Sequence, residues 1–129
     1  STGGSIPPDA VAWTANVLRM PVHDSWLQAE IGTALVANYR SLDIRPGSAG
    51  KAVPGVEVAV LDPEYNRAAA DTEGLLAVRP GWPSMFRAYW NDPELYGSRF
   101  RRGWYATGDI ARSIRTPRHD IVTIDVALI

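Results

Sequence analysis

Eleven glycines and ten prolines are spread along 129 residues, so the chain turns often, and several of the segments between them carry a period-two pattern. "VEVAVLD" sets Val56, Val58 and Val60 against Glu57 and Ala59, and "IVTIDVALI" sets Val122, Ile124, Val126 and Leu128 against Thr123, Asp125 and Ala127. Both are strand patterns, the second half-buried. "TALVANY" and "LLAVRPG" read as further strands, with "TEG" a turn before the latter, "RPGSAGKAVPG" turn-rich and "DPEYNRAAADTEG" a polar connection. Two helices are expected. One covers residues 8–18, entered through Pro7 and Pro8, with Val11, Val17 and Leu18 among its apolar residues and Pro21 stopping it. The other is "DPELYGSRF", where Asp92 caps and Pro93 takes the first turn. "PVHDSW" is then a short strand and "LQAEIG" a loop, so the opening reads as a short β-α-β piece of a parallel sheet. The character shifts from α/β to mostly β near residue 45, which divides the chain into 1–44 and 45–129.

Several function classes fall away on composition. A net charge of −1 leaves no electrostatic basis for nucleic-acid binding. Zero cysteines remove disulfides, thiolate metal sites and thiol nucleophiles, and are compatible with a reducing cytoplasm. With 46% hydrophobic and 21% charged residues the chain is ordinary for a folded domain. No apolar run approaches the roughly 18 residues of a membrane span. "STGGSIPPDA" has neither the charged start nor the apolar stretch of a signal peptide.

The obvious site motifs also fail on spacing. In "GSAGKA" the first glycine of a phosphate loop would have to stand at Arg45, and Ala52 replaces the hydroxyl that would meet magnesium. That stretch is an ordinary turn. His23 and His119 have no ligand at metal spacing, and no serine sits in a Gly-x-Ser-x-Gly elbow. Arg99, Arg101 and Arg102 form a basic cluster, read first as a solvated face and second as a phosphate contact. "WPSMFRAYWNDPELY" reads as an aromatic packing surface.

Two acidic stretches are more informative. "HDSWLQAEIG" places Asp24, Trp26, Gln28 and Glu30 at alternating positions. A buried strand has no use for the acids and a surface strand little use for the indole, so a strand ending in a polar site is indicated. In "WYATGD" a strand runs into Thr107 and Gly108 and ends at Asp109, whose carboxylate can accept hydrogen bonds from a vicinal diol such as ribose.

Together with "STGGSIPP", these stretches resemble the adenylate-forming superfamily, and within it the acetyl-CoA synthetase-like acyl-CoA synthetases. "DSWLQAEIG" is similar to the family's Asp-Thr-Trp-Trp-Gln/Met-Thr-Glu-Thr-Gly, and "GWYATGD" to its Tyr-x-Thr-Gly-Asp. "RPGSAGKAVPGVEVAVLD" and "GLLAVRPGWPSMFRAYWNDPELY" extend the likeness to about residues 1–112. The resemblance implies an AMP-forming acid-CoA ligase of the cytoplasm. A small carboxylic acid attacks ATP to give acyl-AMP and pyrophosphate, and coenzyme A then displaces AMP. It implies a β-α-β piece followed by a distorted antiparallel β-barrel, with the adenine, acyl and magnesium loops in residues 1–44. By position, Gly3, Gly4 and Ser5 lie against adenine and Asp109 holds the ribose. Asp24, Trp26 and Gln28 join the nucleotide site, Trp26 and Leu27 line the acyl pocket, and Glu30 binds Mg2+ at the phosphates, a catalytic role.

The departures carry their own expectations. Leu27 stands where the family has its second Trp, which enlarges the acyl wall, a change of about 1–3 kcal/mol in discrimination. Ala29 replaces a Thr hydroxyl, and Ser5-Ile6 replaces the Glu-Pro of close relatives. Neither the phosphate loop, nor the Gly-Arg-x-Asp hinge, nor the C-terminal domain with its lysine is among these residues. The chain alone is therefore expected not to catalyse adenylation, which depends on electrostatic stabilisation and positioning. Bared apolar surface is expected to promote self-association. A second reading is a catalytically dead β-rich binding or assembly module derived from the same fold.

Overall fold

A computed structural model describes residues 6–41, 43–115 and 122–125. Helix α1 spans Pro8–Leu18 as the proline entry predicts. Pro8 has no N–H to leave unsatisfied in the first turn, and Pro7 O accepts from Val11 N at 3.1 Å. The helix ends where Arg19 turns left-handed at φ 52°. Only Val11 of this helix is buried, while Trp13, Val17, Leu18 and nearby Met20 are exposed.

Strands β1 (Ser25–Leu27), β2 (Ala34–Ala37) and β3 (Lys51–Ala52) form one antiparallel sheet in the order β1-β2-β3. Beyond it follow β4 (Val58–Leu61), β5 (Glu73–Val78), helix α2 (Pro93–Ser98), β6 (Phe100–Arg101), β7 (Trp104–Arg115) and β8 (Val122–Asp125). The second sheet runs β4-β5-β7-β6, with β8 also on β7. The mostly β, antiparallel character matches the sequence reading, but the parallel opening does not. Every ladder among the described residues is antiparallel. Residues 28–33 are too few to carry a parallel crossover, which takes about a dozen or more, so β2 folds straight back on β1. Sheet one also draws β3 from beyond residue 45.

One core joins the two sheets. Trp26, Ile31, Leu35 and Val36 from the first pack with Val58, Val60, Leu76, Val78 and Tyr105 from the second. Leu76 and Val78 are fully buried, and each such side chain stabilises by about 1.5–3 kcal/mol. The alternation expected around Val58 and Val60 holds in direction, yet all four residues of β4 are buried. Ala59 and Leu61 face a second cluster with Ala77, Trp104 and Tyr65. Arg79 covers the Trp104 ring at 3.9 Å and Arg67 at 5.4 Å, and Glu57 pairs with both arginines. Helix α2 begins as predicted, with Asp92 Oδ1 accepting from Leu95 N at 2.8 Å. For "IVTIDVALI" the pairing of Val122–Asp125 with β7 is described; the expected burial pattern lies outside the described residues.

Candidate nucleotide-site network

Asp109 is set by a kink in β7. Ala106 pairs with Ala77 and Ile110 with Leu75, so Thr107, Gly108 and Asp109 stand opposite Leu76 alone. Such a bulge re-aims side chains that a regular ladder would fix. Gly108 makes it possible at φ 89°. Thr107 replaces the lost ladder contacts: its hydroxyl donates to Leu76 O at 2.7 Å, and its Oγ1 accepts from Asp109 N at 3.1 Å. The strand therefore does not end at Asp109, as the sequence reading had it, but continues to Arg115.

Two donors reach the carboxylate from the β1 side. The Trp26 indole N–H donates to Asp109 Oδ2 at 2.7 Å, and Gln28 Nε2 donates to the same oxygen at 3.0 Å. Gln28 Nε2 also donates to Thr107 O at 3.0 Å. Oδ1 keeps no protein donor among the described residues. Trp26 is itself buried in the core, so its ring is held by packing and its N–H by geometry.

Glu30 lies in the turn after β1, where Ile31 N and Gly32 N both donate to Gln28 O at 3.1 Å. The aromatic loop clamps this turn. Phe86 N donates to Glu30 O at 2.7 Å, Trp82 Nε1 and Ser84 Oγ donate to Ile31 O at 2.9 and 3.0 Å, and Tyr89 OH donates to Glu30 Oε1 at 2.8 Å. Gly32 permits the close approach: its φ is 72°, and an added β-carbon would meet Ser84 O at 2.5 Å. The packing reading of the loop holds for Phe86, whose ring meets Tyr89, Tyr96 and Tyr105 at 5.0, 5.0 and 5.5 Å. It missed Tyr89 and Trp82 as hydrogen-bonding members of the site.

Tyr105 completes the connection, donating to Gln28 Oε1 at 3.3 Å. Its phenol is pushed far above the ordinary range, first by burial and then by the charge of Glu30 and the neighbouring Tyr89. Tyr89 is also raised, by burial first and then by its bond to Glu30. Both hydroxyls thus stay protonated donors. Two short polar chains result, one from Tyr89 to Glu30 and one from Tyr105 through Gln28 to Asp109, with the two tyrosines as neighbours.

The other expected site residues stand apart or outside. Asp24 Oδ1 accepts from Ser25 N at 2.9 Å and joins neither chain. Leu27 is exposed. Gly3, Gly4 and Ser5 lie outside the described residues. The arginine cluster splits: Arg101 sits over Tyr65 at 4.9 Å, Arg102 Nη1 donates to Asn66 Oδ1 at 3.4 Å, and Arg99 lies beside Gly108.

Glu30 suits a magnesium ion. Oε1 takes the Tyr89 hydroxyl and Oε2 has no donor among the described residues. Magnesium is commonly held by one or two carboxylates plus substrate phosphates. Among the described residues no three metal-ligating side chains gather, so phosphate and water oxygens would supply the rest.

Known proteins match this chain in sequence and in fold. The family model described as AMP-binding enzyme matches residues 1–90. Acetyl-coenzyme A synthetase of Bacillus subtilis is 43% identical over 112 residues, covering 86% of this chain and 20% of the relative. That of Alkalilimnicola ehrlichii is 36% identical over 119 residues, covering 87% and 18%. The crystal structure of Brucella canis acyl-CoA synthetase superimposes with a TM-score of 0.78 at 32% identity, covering 98% of this chain and 22% of that one. ATP-bound MatB from Rhodopseudomonas palustris gives 0.81 at 27% identity, covering 96% and 24%. The chain thus spans about a fifth of the length of the curated relatives it matches.

Proposed function

The chain belongs to the AMP-binding enzyme family, and from that premise we propose that it carries part of the nucleotide and acyl site of an AMP-forming acid-CoA ligase. The ligands are ATP, a small carboxylic acid and coenzyme A. In the full reaction the carboxylate displaces pyrophosphate at the α-phosphorus, and the thiol then displaces AMP. Asp109 receives a ribose hydroxyl on Oδ1. Glu30 holds Mg2+, which neutralises phosphate charge. Trp26 and Gln28 orient Asp109, and Leu27, with the edge of Trp26, forms the acyl wall. Asp24 flanks the nucleotide side, and Gly3, Gly4 and Ser5 pass their backbone beside adenine. These adenine, acyl and magnesium loops belong to residues 1–44, and 45–129 form the barrel-like part that presents Asp109. A location in the cytoplasm suits these ligands.

The observation that carries this reading is the Asp109 carboxylate, with Oδ2 held by two donors and Oδ1 left open. Acceptors fixed in this way pay little ordering cost on binding a diol. Adenosine titration of the 129-residue chain tests it. Adenosine is expected to bind, with affinity lost in Asp109→Asn and retained by the 2′-deoxy nucleoside only weakly. Equal binding of adenosine by the parent chain and Asp109→Asn overturns the assignment. The same chain is expected to give no ATP–pyrophosphate exchange, because the phosphate loop and the lysine that the family resemblance calls for are not among these residues; measurable exchange overturns that part.

A further inference from the structure

Arg99 is the cation of this site, and its side chain engages the Tyr89 hydroxyl. Its Nε is buried and has no hydrogen-bond partner among the described residues, an arrangement that costs free energy unless a ligand satisfies it. No carboxylate pairs with it, since both ion pairs among the described residues belong to Glu57. Its guanidinium lies at the Asp109 bulge: a β-carbon built on Gly108 would stand 3.5 Å from Arg99 Nη1. Its backbone is fixed there, because Arg99 O accepts from Ala106 N at 2.8 Å and the next residue, Phe100, pairs with Tyr105 in the β6–β7 ladder. The charge also acts on Tyr89 and Tyr105, opposing the rise that burial and Glu30 impose on them. Arg99 thus lies beside the bulge that carries Asp109 and beside the tyrosine that holds Glu30. A nucleotide with its ribose at Asp109 and its magnesium at Glu30 has its phosphates on the way from one to the other.

We propose that Arg99 is an oxyanion-binding residue of this site, donating to a phosphate oxygen of the nucleotide whose ribose Asp109 receives. The proposal rests on the nucleotide reading above. A guanidinium offers five N–H donors in a planar fork suited to phosphate, and at this position it adds positive charge that the rest of the described site lacks. It deepens the reading by separating two recognition tasks: Asp109 reads the sugar and Arg99 reads the charge.

The test titrates the 129-residue chain and its Arg99→Gln, Arg99→Lys and Asp109→Asn variants with adenosine, AMP and inorganic pyrophosphate by calorimetry, with circular dichroism as a fold check. AMP is expected to bind the parent chain more tightly than adenosine. Arg99→Gln is expected to weaken AMP by about tenfold or more, the scale of one hydrogen bond to a charged group, while adenosine affinity stays unchanged. Arg99→Lys is expected to restore part of the AMP advantage, as a charge without the fork. An AMP-over-adenosine margin that survives Arg99→Gln overturns the proposal and leaves the ribose assignment standing. If adenosine ignores Asp109→Asn, the nucleotide reading fails, and pyrophosphate alone decides Arg99: its loss in Arg99→Gln upholds the anion role, and its persistence overturns it. Failure of all three probes to bind the parent chain overturns both.

Discussion

The Trp26 indole N–H donates to Asp109 Oδ2 at 2.7 Å, joining residues 83 positions apart. One end of this bond is a core side chain of β1 and the other a carboxylate on the β7 bulge, so sheet packing and the aim of the acid are coupled. Moving either sheet by a fraction of an ångström would change both.

Trp26→Phe is expected to keep most of the apolar ring and lose the donor. Hydrogen bonds to charged groups contribute about 1.5–3 kcal/mol, and the smaller ring leaves a cavity besides. Urea unfolding should report a loss of about 2 kcal/mol, and adenosine affinity should fall as Asp109 loosens. A variant as stable as the parent would argue that the bond contributes nothing to holding the sheets together.

Thr107→Val removes the hydroxyl and keeps the shape. Leu76 O and Asp109 N then lose their partner inside a buried bulge, at a cost of about 1–3 kcal/mol. Thr107→Ser should recover most of it. Equal stability of the Val and Ser variants would contradict the role given to the hydroxyl.

Gly108→Ala tests the backbone alone. The added methyl meets Arg99 Nη1 at an ordinary 3.5 Å, but φ is 89°, so the penalty is conformational, about 1–2 kcal/mol. Denaturant midpoints measure it. No loss of stability would show that the bulge relaxes to a conformation that alanine accepts.

Alkaline pH should destabilise the fold. Burial, and then Glu30, raise the folded-state pKa of Tyr105, and burial with the Glu30 bond raises that of Tyr89. The unfolded phenols titrate at about 10. Above that value the unfolded chain releases protons that the folded chain keeps, so the stabilisation is fully present below about pH 10 and is lost as pH rises through the folded-state values. Urea midpoints on either side of pH 10 should therefore fall with pH, and Tyr105→Phe should flatten the slope. An unchanged slope in Tyr105→Phe would assign the effect to other groups.

Trp13 and Val17, one turn apart on α1, and Met20 just beyond its end are exposed, at 66%, 56% and 65% of their full accessibility. Exposed apolar surface of this kind promotes association, and a net charge of −1 offers little repulsion against it. Light scattering of the isolated chain should show concentration-dependent self-association, reduced in Trp13→Glu. A monomer at all concentrations would count against it.

Short-range chemistry was legible in the residues themselves. The proline entry of α1, the Asp92 cap of α2 and the period-two strands depend on neighbours a few positions away, and they appear in the structure where the pattern places them. The acids at 30 and 109 were also recognisable by their local stretches. The antiparallel pairing of β1 with β2 was not anticipated, although the brevity of residues 28–33 was its signal. Tyr89 and Trp82 were hidden among aromatics because a ring that packs and a ring that also donates look alike in sequence.

By itself, then, the sequence determined where the chain bends and which segments become strand or helix, because those choices are governed by backbone sterics and nearby hydrogen bonds. Only the tertiary structure decided that Trp26 and Gln28 share one oxygen of Asp109, that Tyr89 holds Glu30, and that Arg99 turns from its basic neighbours toward the bulge. Each of these depends on separations of a few ångströms between residues distant in the chain, and packing of the two sheets on one core is what sets those separations.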